Sequence, residues 1–244
     1  MSMNGLTLSS FPRKRASLTA GALFLSVSLS LSAFAAPLPE ASHLSSFGGI
    51  AKVVDGDTLD ISGERIRLEG IDAPERDQVC KMADGRPWSC GEAATRMLRT
   101  LVGNRELVCE RRGMDKYRRA LAVCFVGGEN INEAMVRAGY AWAFVRYSSE
   151  FVDAEAEARA AKSGVWQGAA QAPWEFRHNE WQVAETAAPS GCAIKGNITS
   201  NGHIYHMPWS AWYDRVKIDE KRGERWFCSE AEATAAGWRP AAAH

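Results

Sequence analysis

Three short stretches of the chain gather side chains suited to work on a phosphate ester. In the first, Asp55 and Asp57 flank Gly56 ahead of Thr58, two carboxylates at the junction of two strand-like segments. In the second, Arg67 and Leu68 lead through Gly70 to Asp72, Ala73, Pro74 and Glu75, a strand that ends by presenting two acids around a rigid turn. The third is the charged run Asp115, Lys116, Tyr117, Arg118, Arg119. Oxygen donors on loop edges suit Ca²⁺ or Mg²⁺, whereas Zn²⁺ takes His and Cys. Guanidinium groups beside such an ion suit phosphate, because hydroxide attack on a phosphodiester adds negative charge on the way to the transition state. A cation and two arginines stabilise that added charge more than the starting charge. Glu75 stands where it can accept the proton of the attacking water. Each feature alone has a plainer reading: a solvated turn, an ion pair in a sheet, a surface carboxylate after proline. Their combination points to hydrolysis.

The elements that must position them are short strands followed by helices. Strands are expected at 50–54, 58–61 and 65–71, where Ile66 and Leu68 alternate with Arg65 and Arg67. Ala94, Met97, Leu98 and Leu101 lie on one face of a helix over 91–101. Strands at 106–110 and 119–126 frame a hairpin turning at Lys116 and Tyr117. A second helix starts at Asn130 with Glu133 in a capping-box-like arrangement and ends near Gly139, and a third spans 149–162. Strands first and helices late predict an α+β fold with a small barrel.

The chain of 244 residues carries 29 Lys and Arg against 29 Asp and Glu, with 46% apolar residues. That balance argues against a protein that grips nucleic acid through a broadly basic surface. The zero includes an N-terminal segment in which Arg13, Lys14 and Arg15 precede an apolar run to Phe34, closed by Ala33, Phe34 and Ala35. This is the pattern of a secretory signal peptide over residues 1–35, cut after Ala35, with an uncleaved anchor as the alternative. All six cysteines lie beyond that site, and export favours disulfides over free thiols. Pairing Cys109 with Cys124 sets Leu107 opposite Val126 in a consistent hairpin register. Cys80 and Cys90 then close a short loop, and Cys192 and Cys228 staple the C-terminal segment. The expected organisation is a leader over 36–47, a main domain over 48–181, a linker over 182–191 and a small module over 192–240.

From Gly48 to Trp166, these ordered motifs resemble the staphylococcal-nuclease-like, or thermonuclease, family. The resemblance implies a five-stranded oligonucleotide-binding-type barrel with three helices, and Ca²⁺-dependent cleavage of DNA and RNA leaving 3′-phosphates, with Mg²⁺ the weaker candidate. By position it implies Asp57 and Asp72 as metal carboxylates, the main chain of Ala73 as a further ligand, and Asp55 in the outer shell. Arg67, Glu75 and Arg119 correspond to the catalytic residues, and Lys116, Tyr117 and Tyr147 to positions that hold a nucleotide. Single-stranded or frayed substrate, a monomer and no stable protein partner are expected. Arg118 departs from the family pattern, standing where Gly usually precedes the second arginine, so the turn must bend without glycine's freedom. Val145 replaces an aromatic of the nucleotide pocket, a contact that Trp142 or Phe144 would have to supply.

The C-terminal segment resembles a small module found behind secreted bacterial nucleases, with no firm function attached. Cys192, His203, His206 and Cys228 form an alternative zinc set but lack paired spacing. Trp209, Trp212, Tyr213, Trp226 and Trp238 read as the core of a tiny domain, or else as a binding face. The expectation for the whole is an exported nuclease. The rival is a noncatalytic oligonucleotide- or envelope-binding module on the same barrel.

Overall fold

A computed structural model describes residues 45–241; the expected signal peptide, and all of the leader before Ser45, lie outside the described residues. Five strands build the barrel: β1 (Ser46–Val53), β2 (Thr58–Ile61), β3 (Glu64–Leu68), β4 (Glu106–Met114) and β5 (Ala120–Val126). They run in the order β3-β2-β1-β4-β5, and the parallel pairing of β3 with β5, Arg67 opposite Leu121, closes the ring. Closure leaves no long sheet edge, and alternate residues point inward. Leu59, Ile66, Leu68, Leu107 and Val126 therefore meet inside, capped by Leu98 of helix α1 (Cys90–Val102). β1 begins at Ser46, so Ser46 and Phe47, expected at the end of the leader, belong to the barrel.

The β4–β5 hairpin has Leu107 opposite Val126 and Cys109 opposite Cys124, with a shift in register between Arg111 and Gly113. Helix α2 (Ile131–Arg137) starts on Asn130, whose side chain accepts from the backbone N–H groups of Asn132 and Glu133. Glu133 pairs with Arg137 at 2.7 Å rather than reaching back, so the cap is one-sided. Asn132 is fully buried and satisfied: its amide donates to the carbonyls of Glu69 and Ala122, tying α2 to the segment that leads into Asp72. Helix α3 (Val152–Ala160) packs beside α2.

Two further α-helices follow among the described residues. Helix α4 (Pro173–Ala187) begins on proline at a position where the missing N–H costs nothing, and it runs through residues 182–187, the first part of the expected linker. Only Pro173 and Ala184 of this helix are buried, so it carries no apolar stripe that periodicity could detect. Beyond it, β6 (Ile194–Thr199), β7 (Gly202–His206), β8 (Arg225–Phe227) and β9 (Arg239–Pro240) form a small sheet in the order β8-β6-β7-β9, with helix α5 (Glu230–Ala235) packed beside it. Its core is Ile194, Tyr205, Phe227, Ala233 and Trp238.

Disulfides join Cys80 to Cys90, Cys109 to Cys124 and Cys192 to Cys228. The last bond takes both cysteines of the zinc alternative, while His203 stacks on Trp238 and His206 faces Asn197. Of the tryptophan cluster, Trp238 and Tyr213 are buried and Trp212 is open to solvent. Three disulfides suggest an oxidising, extracellular or periplasmic setting, and among the described residues no helix is long and apolar enough to cross a membrane.

Candidate active site

The acids converge at the open end of the barrel where β1 turns into β2 and β3 runs out. Asp55 closes the turn by accepting from the backbone N–H of Asp57 at 3.2 Å. Gly56 permits a close approach there, since a Cβ would lie 2.7 Å from that of Ala73. Asp57 is thereby buried, and its Oδ2 accepts from the backbone N–H of Ala73 at 2.8 Å. Asp72 sits in a two-residue strand paired with Trp142 and is buried too. Arg67, projecting from β3, bridges them: Nη1 bonds Asp57 and Nη2 bonds Asp72 at 2.7 Å.

Glu75 is held by its neighbours. Its backbone N–H donates to Oε1 of buried Gln78 at 3.1 Å, and Gln78 passes the restraint on by donating to the carbonyl of Gln171 at 2.7 Å. Gly91, in the first turn of α1, lies so close that a Cβ would fall 1.8 Å from the Glu75 carbonyl oxygen. The Cys80–Cys90 disulfide secures this loop against the start of α1. The carboxylate of Glu75 meets Arg177 of α4 at 2.7 Å, and the same guanidinium reaches both oxygens of Asp72, at 3.2 and 2.8 Å. Two arginines thus share the acid cluster. Arg67 was expected there, whereas nothing in the sequence around Arg177 marks it.

The hairpin turn solves its missing glycine through Asp115. Arg118 takes the left-handed conformation, with φ of 64°. Asp115 supports that strained position by accepting, through Oδ1, from the N–H groups of Tyr117 and Arg119, each at 2.9 Å. Arg119 directs Nε to Asp115 Oδ2 at 2.7 Å and lies over the Tyr117 ring, so its contacts are within the turn and not with Asp57, Asp72 or Glu75. Lys116 and the Tyr117 hydroxyl both bond the carboxylate of Glu230, at the start of α5. Two of the three positions expected to hold a nucleotide therefore touch the C-terminal module. Tyr147, the third of them, is 68% exposed and meets Phe144 edge-on. Phe144 stacks on Trp174, whereas Trp142 is buried against Trp166, so of the two candidates to replace the aromatic at Val145 it is Phe144 that lies beside Tyr147.

Burial sets the electrostatics. It pushes the Asp57 carboxyl up to about 7; Arg67 opposes that rise, and Asp55 and Asp72 add to it. Burial also raises Glu75, against the pull of Arg177. Arg67 and Arg177 are held more firmly protonated than usual, because Asp57, Asp72 and Glu75 outweigh the cost of burying them. Burial and Glu230 together keep the Tyr117 phenol protonated.

The donor chemistry fits a hard divalent cation: Asp55, Asp57 and Asp72 offer carboxylate oxygens at one end of the barrel, with Glu75 joined to Asp72 through Arg177. In this conformation the guanidinium groups of Arg67 and Arg177 already satisfy Asp57, Asp72 and Glu75, and among the described residues no three acids, His or Cys are arranged as a ready ligand set. An incoming cation would take over charge that Arg177 now neutralises.

A closed five-stranded barrel carrying buried acids and arginines at its open end belongs to the oligonucleotide-binding class of folds. The family described as staphylococcal nuclease homologue matches residues 65–168, and that described as ArfC matches residues 181–240. An uncharacterized endonuclease of Escherichia coli O157:H7 is 36% identical over 141 residues, which cover 54% of this chain and 86% of the relative. The micrococcal nuclease of Shigella flexneri is 34% identical over 149 residues, 53% of this chain and 79% of that protein. The succinoglycan biosynthesis protein ExoI of Rhizobium meliloti (strain 1021) is 34% identical over 125 residues, 49% of this chain, which thus spans 64% of that relative's length. The chain belongs to the staphylococcal nuclease homologue family, whose nucleases are in general metal-dependent.

Proposed function

We propose that the protein is an exported, metal-dependent nuclease that hydrolyses phosphodiester bonds of DNA and RNA with little sequence preference, using Ca²⁺ and leaving 3′-phosphates. The observation that carries the reading is the hydrogen-bonded cluster that joins Asp57 and Asp72 through Arg67, and Asp72 and Glu75 through Arg177, where β1 turns into β2 and β3 runs out. Asp57 and Asp72 would hold the ion, with Asp55 behind them and the Ala73 main chain beside them. Such an ion, held there, would supply positive charge to the phosphate oxygens and to the attacking water.

The chain's own groups do the rest. Arg67 presents two N–H donors from a rigid strand, suited to a phosphate whose charge grows during attack. Glu75, raised by burial, is a stronger base than an exposed carboxylate and accepts the water proton. Lys116 and Tyr117 would engage a neighbouring phosphate, and Arg119 would join them by leaving Asp115. Few phosphates are contacted at once, which is compatible with a mature chain of 26 basic and 29 acidic residues after loss of residues 1–35. The dependence of cutting on salt should accordingly be shallow. Export rests on the N-terminal pattern and the three disulfides.

Digestion of single-stranded DNA and of RNA with Ca²⁺, with Mg²⁺ and with chelator, alongside Glu75→Gln, tests the proposal. Removal of metal should abolish cutting, and the Gln variant should lose about 10²–10⁴-fold in kcat. Equal rates in chelator would refute the mechanism. Oligonucleotide binding with no cutting under any condition would select the noncatalytic alternative.

A further inference from the structure

Helix α4 brings more than Arg177 to the site. It lies beyond residues 65–168, the segment matched to the nuclease family. Trp174 and Arg177 stand three residues apart in its first turns, a spacing that places side chains on one face. Arg177 reaches Asp72 and Glu75, and Trp174 stacks on Phe144 with ring centroids 5.5 Å apart and planes 17° from parallel. Phe144 in turn meets Tyr147 edge-on at 5.1 Å, and the Arg146 guanidinium lies 6.0 Å from the Tyr147 ring. An aromatic row thus leads away from the acid cluster, bordered by Arg177 at one end and Arg146 at the other.

The row is held in place yet open. The Ala169 carbonyl accepts from Lys81 N–H and the Gln171 carbonyl from the Gln78 amide, while Ala172 and Pro173 are buried, so the start of α4 is fixed to the barrel. Even so, 37% of the Trp174 surface remains in water. The row therefore has the composition of a platform for unpaired nucleic acid, aromatic faces for bases with cations alongside for phosphates.

We infer that Trp174 is a substrate-binding residue that stacks on an unpaired nucleobase next to the phosphate undergoing attack, offering an aromatic face from helix α4, beyond the segment matched to the nuclease family. The inference rests on the nuclease reading above. Stacking uses the π-face common to all bases, so Trp174 favours single strands over duplex without selecting sequence, and it ignores the sugar.

The test is fluorescence anisotropy of the full chain in chelator, where no cutting occurs, with a labelled oligothymidylate and with a strand of equal length carrying abasic sugars. Trp174→Ala should bind the thymidylate about 5- to 50-fold more weakly and the abasic strand as the wild type does. Trp174→Phe should restore most of the loss, with unfolding midpoints checked for each variant. An equal loss on both strands would mean that Trp174 only anchors α4, and unchanged binding of both would mean that it does nothing for substrate; either overturns the inference. If in either case the wild type binds the thymidylate and cuts it once metal is restored, the nuclease reading survives that failure. If the wild type neither binds nor cuts, both readings fall together.

Discussion

Replacing Arg177 with methionine should weaken the metal-free protein and tighten its hold on a divalent cation by a matching amount. The guanidinium makes three hydrogen bonds, two to Asp72 and one to Glu75. Removing one partner of a buried pair costs about 3–5 kcal/mol when the other charge is left bare. Asp72 retains Arg67 at 2.7 Å, and Glu75 is 25% exposed and so partly screened by water. Those two facts reduce the expected loss to roughly 2 kcal/mol. A cation bound as proposed would neutralise the same carboxylates, so the penalty should largely vanish with metal present. The thermodynamic cycle then requires tighter cation binding by the same ~2 kcal/mol, roughly 30-fold in Kd. Urea unfolding in chelator and in saturating Ca²⁺, with calorimetric titration of Ca²⁺ into both proteins, measures every side of the cycle. An equal stability loss with and without metal, or weaker Ca²⁺ binding by Arg177→Met, would refute the reasoning. It would mean that Arg177 works alongside the cation instead of standing in for it.

Because burial lifts Asp57 to about 7, metal binding should fall off as pH drops below about 7 and a proton competes for the carboxylate. The metal-free fold responds in the opposite sense: with its pKa above the unfolded value of ~4, Asp57 favours folding at low pH, and this contribution is lost as pH rises from ~4 through about 7. Urea midpoints across that window in chelator should therefore decline, and a rise would contradict the burial argument. Glu230→Gln should free Lys116 and Tyr117 and lower KM for short oligonucleotides about 2- to 5-fold with kcat unchanged, as expected for a partly exposed pair worth ~0.5–1 kcal/mol. A higher KM would mean that Glu230 orients those residues for substrate. Loss of the Cys109–Cys124 disulfide, whose cysteines are 15 residues apart, should cost about 3 kcal/mol in unfolding free energy, measured on the double serine variant.

Much of the barrel was legible because its information is local. Alternating apolar residues at 65–68 predict which side of β3 faces inward, and Arg67 then follows as an outward group at the strand's end. The Leu107–Val126 register came from matching two short segments through their cysteines. Helix α4 was not legible, since burial of Pro173 and Ala184 leaves no periodic stripe. The path of Arg119 was equally hidden: its spacing in the motif pointed to phosphate, and the acceptors on Asp115 hold it within the turn.

The sequence by itself determined the barrel strands, the three motifs and the acids that could hold a cation, because each depends on neighbours a few positions away. Only the tertiary structure decided what faces them. Arg177 meets Asp72 across 105 residues, Gln78 meets Gln171 across 93, and Tyr117 meets Glu230 across 113. Pairings at such separations leave no pattern in local composition, because they exist only once the closed barrel has set the start of α4 and the C-terminal module beside its open end.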